Sequence, residues 1–246
     1  MVWIYLSPHF DDVALSCGGL AWEQSRVGEI VQVWTICAGE APPGPLSPFA
    51  AALHARWDAG QNAPAERRAE DLAACRELGA APYHFDLPDC IYRRGLDQVT
   101  HLYASEEGIF GPIHPEEEGL IAGLAEILAK QIPTEADVVC PLTLGGHVDH
   151  RLTRAAVEKT DCKVWYYADY PYVLGSSSAI DTLRQSGWQS TVFSVSGAGL
   201  EAWIGSVAAY TSQMSTFWPD TPAMRAALQD YWLRSGGGVQ LWRPKR

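Results

Sequence analysis

Short apolar runs alternating with helical stretches confine this chain to a narrow set of folds. The opening run 2–6, Val-Trp-Ile-Tyr-Leu, is dense in β-branched and aromatic residues and stops at Ser7-Pro8, which reads as a buried strand. A helical stretch over 13–26 follows, carrying the pair Gly18-Gly19, and 29–37 reads as a second strand. Strand, helix and strand within that length suit a right-handed parallel crossover.

The pattern continues along the chain. A Pro-, Ala- and Gly-rich stretch over 39–64 is expected to be a lid or substrate wall. A helix over 65–78, ended by Gly79, leads to a short strand at Tyr83-His84-Phe85. A second irregular stretch over 93–115 precedes an amphipathic helix over 120–131, a strand over 137–142 and a helix starting near Asp149. Strands at 164–168 and 191–195, a helix over 199–213 and an edge strand at 239–242 complete the reading. The expected architecture is an α/β, Rossmann-like doubly wound and mostly parallel sheet. It forms one domain over 1–246, with long loops over the C-terminal edge of the sheet and strand order 3-2-1-4-5 at its centre.

Composition narrows the function. With 47% hydrophobic and 19% charged residues, the 246-residue chain can bury a sizeable core, which excludes disorder as its main state. Eighteen basic against twenty-nine acidic residues give a net charge of −11. No basic stripe is available for nucleic acid or an anionic membrane. The six cysteines form no C-x-x-C pair and sit mostly in apolar runs, as expected of buried free thiols in a reducing cytoplasm. The apolar start lacks a basic leader and soon meets His9, so neither a signal peptide nor a membrane span is expected. Oligomeric state is open, a homo-oligomer included.

Two clusters carry chemistry. Ser7-Pro8-His9-Phe10-Asp11-Asp12 falls where the first strand hands over to its helix, and Gly145-Gly146-His147-Val148-Asp149-His150 falls at the matching place after the fourth. Open parallel sheets bind ligands outside the carboxyl ends of their strands, where the strand order reverses. The two clusters would then share one crevice. Two imidazoles and a carboxylate suit a zinc ion, and His9, Asp12 and His150 are the expected ligands; Fe(II) or another divalent metal tolerates the same set. Asp11 falls beside the metal, placed to take a proton from water. His147 falls across from it, to stabilise an oxyanion and protonate a leaving amine, with Asp149 fixing a histidine tautomer. A lone Asp-Asp is an ordinary helix cap, and a lone His-x-x-His is equally weak. Two such clusters at strand-to-helix transitions favour a site for metal-assisted hydrolysis of an amide or ester.

With these motifs, His9-Phe10-Asp11-Asp12 and His147-Val148-Asp149-His150, the chain resembles the PIG-L/LmbE-like N-acetylglucosaminyl deacetylase family. Arg67-Arg68-Ala69-Glu70 before Leu78-Gly79, and Tyr210-Thr211-Ser212-Gln213, resemble two further family segments. The resemblance implies a zinc enzyme that removes acetyl groups from N-acetylglucosamine-type glycosides. It implies metal binding by His9, Asp12 and His150, a base at Asp11, an acid or oxyanion donor at His147 oriented by Asp149, and sugar contacts from Arg67 and Asp89. Phe10, Val13 and Val148 depart from the family's usual Pro, Glu and Pro, and the asparagine often found before the second motif is absent; no expected ligand is lost.

Plainer readings stand beside these. Arg67 could pair with Asp71 one helical turn on, and Asp89 could serve a turn. His54, His84, His101 and His114 show no partner pattern, although the last two lie in a long loop. The tyrosine-rich turn 166–172 reads as packing, with aromatic faces that would suit a sugar ring. Rival functions are a metal-dependent amidase or esterase of another acyl group, and a catalytically weak sugar-binding protein. A dinucleotide enzyme is excluded, because His-Phe-Asp-Asp occupies the turn where G-x-G-x-x-G would be required.

Overall fold

The computed structural model describes residues 1–57 and 63–245. Its strands and helices run, in chain order, β1 (Val2–Ser7), α1 (Asp12–Arg26), β2 (Ile30–Thr35), α2 (Pro48–Arg56), α3 (Ala63–Leu78), β3 (Ala81–His84), α4 (Glu106–Ile109), α5 (Glu118–Gln131), β4 (Asp137–Pro141), α6 (Val148–Val157), β5 (Lys163–Tyr167), α7 (Ser177–Gln185), β6 (Trp188–Ser194), α8 (Gly197–Ala208), α9 (Thr211–Phe217), α10 (Thr221–Arg234) and β7 (Gly238–Pro244). The sheet order is β3-β2-β1-β4-β5-β7-β6, parallel through β5 and antiparallel at β7 and β6. The expected class therefore holds, and β1 lies beside β4 at the point where the order reverses.

The unbroken hydrophobicity of β1 stems from its position. Trp3 and Tyr5 point into a core shared with α1, α3, α8 and α10, while Ile4 and Leu6 point into one shared with α5 and α6. A strand buried on both faces has no polar side to alternate with. The pair Gly18-Gly19 lets α8 approach α1. A Cβ on Gly18 would stand 2.7 Å from the Trp203 ring, whose Nε1 donates to the Ala14 carbonyl at 2.6 Å.

Several expectations need correction. The strand expected over 239–242 is not an edge. β7 lies between β5 and β6 with Leu241 and Trp242 fully buried, and β6 is the edge, three residues earlier at its start than the expected 191–195. The single helix expected over 199–213 is broken at Ala209-Tyr210 into α8 and α9. Within the expected loop 39–64, Ser47 caps α2 and Pro48 opens it; residues 58–62 of that loop lie outside the described residues. α2, α4 and the turn Cys90–Tyr92 pack around Ala50, Tyr92, Tyr103, Ile109 and Val148 as a small third core over the carboxyl ends of the strands. Among the described residues, no helix is long and apolar enough to cross a membrane.

Candidate active site

Both expected clusters converge at the carboxyl ends of β1 and β4. After β1, the Ser7 hydroxyl accepts the Val13 amide at 3.2 Å, and Asp12 Oδ2 accepts the His9 amide at 2.8 Å, which fixes the turn that opens α1. After β4, the chain turns through Thr143, Gly145 and Gly146, all at positive φ (66°, 85° and 79°). Gly145 is required twice over, since a Cβ there would meet the Tyr172 ring at 2.5 Å. His147 then caps α6, its Nδ1 accepting the Asp149 amide at 3.2 Å.

The side chains form a continuous ladder. Asp12 sits between two imidazoles, Oδ2 at 3.2 Å from His9 Nδ1 and Oδ1 at 3.3 Å from His150 Nε2. Each imidazole gives its other nitrogen to a second carboxylate. His9 Nε2 meets Asp149 Oδ2 at 3.0 Å, and His150 Nδ1 meets Asp169 Oδ1 at 2.6 Å. Carboxylates that fix the far nitrogen of a ligating imidazole are the usual support of a metal site. His9, Asp12 and His150 are donors of the types a divalent metal takes, joined through the two oxygens of Asp12. The nitrogens of His9, His147 and His150 also converge within 4.8 Å.

Around this set, Asp11 accepts from Arg67 Nη2 at 3.2 Å, and Arg67 lies over the rings of Phe10 and Trp57. Burial raises the Asp11 carboxyl, a rise only partly offset by Arg67. Burial, then the charge of His9, lowers His147 to about 3, so its ring is neutral. Asp89 caps the Cys90–Tyr92 turn and stands 3.7 Å from His9. These residues line one cavity of about 160 Å³, walled by Trp57, Ile109, Phe110, Tyr172 and Phe217.

The structure brings all eight expected residues to one place but redistributes some contacts. Asp149 orients His9 rather than the side chain of His147. Its Oδ2 also accepts the Cys90 amide, and its Oδ1 pairs with Arg93 at 2.5 Å. Arg67 does not pair with Asp71, which binds His84 and the Tyr210 hydroxyl, each at 2.7 Å. Phe10, where the resembled family has Pro, is buried against His84 and under Arg67. The two supporting segments dock on each other: Glu70 accepts from the Thr211 hydroxyl, the Ser212 amide and the Ser212 hydroxyl at 2.7, 2.8 and 2.6 Å. His54 bonds Tyr92, His114 caps a turn, and neither His101 nor His114 reaches the cavity.

Asp169, Arg93 and Glu117 are site residues that the sequence patterns did not single out. Asp169 had a signal, because it comes after β5 as Asp12 comes after β1. Asp169→Asn is expected to keep the fold and weaken metal binding by about 10–100-fold, measured by competition with a chromophoric chelator; unchanged affinity would remove Asp169 from the metal's support.

An α/β sheet with buried histidine–carboxylate pairs at its switch point defines an α/β protein with a candidate divalent-metal site there. Within that class the chain belongs to the GlcNAc-PI de-N-acetylase (PIG-L) family, whose model matches residues 4–160. It is 32% identical over 195 residues to a 2'-N-acetylparomamine deacetylase of Streptomyces fradiae, a match covering 74% of this chain and 62% of that protein. The chain thus spans less than two thirds of that curated relative. Among solved structures it is similar to a teicoplanin deacetylase in a zinc-inhibited form, with TM-score 0.81 and 29% identity over 98% of this chain and 96% of the other. An A40926 pseudoaglycone deacetylase is similar at TM-score 0.70 and 27% identity, over 98% and 94%.

Proposed function

We propose that this chain, as one domain over 1–246, is a metal-dependent hydrolase that removes an acetyl group from an N-acetylated amino-sugar glycoside. The observation that carries the reading is the presence of a buried carboxylate, Asp11, and a neutral imidazole, His147, in one cavity with His9, Asp12 and His150. The deacetylase relatives support the acetyl group over another acyl group, and a binding protein would need neither Asp11 nor His147.

His9, Asp12 and His150 would hold a divalent metal, which would supply Lewis acidity and lower the pKa of nearby water to roughly 7. Asp11, held by Arg67, takes the proton of the water that adds to the amide carbon. His147 accepts at Nδ1, so its single proton sits on Nε2 and is donated to the oxygen that gains charge. The oxyanion half of its expected role fits this geometry better than the acid half. The proton taken by Asp11 passes to the departing nitrogen as the C–N bond breaks, releasing acetate and a free amino sugar. Arg67 and Asp89 flank the donor set, where sugar hydroxyls would lie.

Zinc is the proposed metal, with Fe(II) the alternative the same ligands accept. The six free cysteines support a reducing cytoplasm. Acetate release from a panel of N-acetylglucosaminides and N-acetylated aminoglycosides is expected for at least one member. Chelator should abolish it and added zinc or Fe(II) restore it. Release that survives complete metal removal would overturn the metal-dependent reading, and no release from any member would overturn the acetyl assignment.

A further inference from the structure

Beside the main cavity lies a second and much smaller one. It shares Asp11, Leu15, Gln213 and Phe217 with the first, and is closed by Val207, Met214 and Trp218. Its free volume is about 10 Å³, roughly the room that one water-sized or methyl-sized group occupies. Leu15 and Val207 are buried, Met214 and Phe217 are half-buried, and Trp218 stacks on Tyr170 at 6.2 Å between ring centres. The polar groups here are engaged elsewhere: Asp11 with Arg67, the Tyr210 hydroxyl with Asp71, and Gln213 Nε2 with Ser212 Oγ at 3.1 Å. A water there finds few of the two to four partners it needs, whereas a methyl group needs none.

We infer that this side cavity is the acyl subsite and that its walls restrict the enzyme to acetyl. The inference rests on the proposed amide hydrolysis and goes beyond it. The carbon under attack must lie beside Asp11, because Asp11 takes the proton of the attacking water. That carbon carries two substituents besides oxygen. The nitrogen leads to a sugar, which only the open cavity of about 160 Å³ can admit. The other substituent is left with the small space past Asp11. The break between α8 and α9 makes the gauge, because it turns α9 and its Met214 and Phe217 over the start of α1, and Glu70 anchors that turn. Met214 and Val207 line only the small cavity and are therefore specificity-determining without touching the metal donors.

The test uses one glycoside series, the p-nitrophenyl glucosaminides bearing N-acetyl, N-propionyl and N-butyryl groups. Wild-type kcat/KM is expected to fall about tenfold or more with each added methylene, the discrimination a filled apolar pocket provides. Met214→Ala and Val207→Ala should each raise the butyryl-to-acetyl ratio by about tenfold or more. The same series is titrated calorimetrically into Asp11→Asn, where size discrimination appears as binding without turnover. Equal kcat/KM across the wild-type series, or ratios unmoved in both variants, would overturn the acyl gauge while leaving hydrolysis intact. Absence of hydrolysis across the series, with binding still ranked by acyl size, would instead count against the hydrolytic reading alone. Binding that is absent, or that ignores acyl size, would sink the gauge whatever the turnover.

Discussion

Asp11→Asn is expected to lower acetate release by about 10²–10⁴-fold, the contribution of a positioned general base, while the bound metal stays at the wild-type stoichiometry. The substitution is close to isosteric, and an asparagine oxygen can still accept from Arg67, so the pairing that holds this side chain at 3.2 Å survives in weaker form. What is lost is basicity. The donor set of His9, Asp12 and His150 does not include Asp11, so elemental analysis should give an unchanged metal content. Circular dichroism should match the wild type. Wild-type turnover in this variant would sink the assignment of the base, and loss of metal would instead make Asp11 part of the binding set.

The second large effect is on stability. Arg93 is buried and holds two buried carboxylates, Asp149 through Nη1 at 2.5 Å and Glu117 through Nε at 2.5 Å; the Tyr103 hydroxyl adds a further bond to Glu117 at 2.6 Å. Burial alone would raise the Asp149 carboxyl, but Arg93, and after it His9, hold it well below the usual range. Arg93→Met leaves two buried charges without their partner, a loss of about 3–5 kcal/mol. For a chain of this length that corresponds to a fall of roughly 6–20 °C in the unfolding midpoint by calorimetry. Arg93→Lys keeps a charge but cannot fork to both acids, so it should fall between wild type and methionine. A midpoint within a degree of wild type for Arg93→Met would show that the network contributes little.

The two chemical clusters were legible in the sequence because each is local. A run such as 2–6 or 137–142 declares a buried strand by its own residues, and the turn after such a strand must emerge at its carboxyl end. The juxtaposition of His9 with His150 then needed only the rule for strand order. Contacts set by distant packing were not legible. Nothing near Arg93 announces that it joins Asp149 to Glu117, and nothing near Asp149 says that it turns toward His9. The break at Tyr210 carries no glycine or proline; its hydroxyl is drawn to Asp71 on α3, a tertiary cause. Two further helices do carry local signals, Ser47-Pro48 before α2 and Asp220 before α10, both ordinary helix starts. The position of β7 is the plainest non-local case, since an apolar run of that length reads the same at an edge or inside.

That position bears on how the molecule is made. Strands β3, β2, β1, β4 and β5 emerge from the ribosome as a set that can pair as it appears, but the outer side of β5 must wait for β7, which is synthesised last of the seven. Until then Tyr166 and Tyr167 present an open ladder of unpaired backbone groups, the surface on which nascent chains aggregate. β6, made earlier, pairs with β7 and not with β5. Completion of the sheet therefore waits on the last of its seven strands, and a chain cut short before residue 238 exposes an interior strand rather than merely losing a tail.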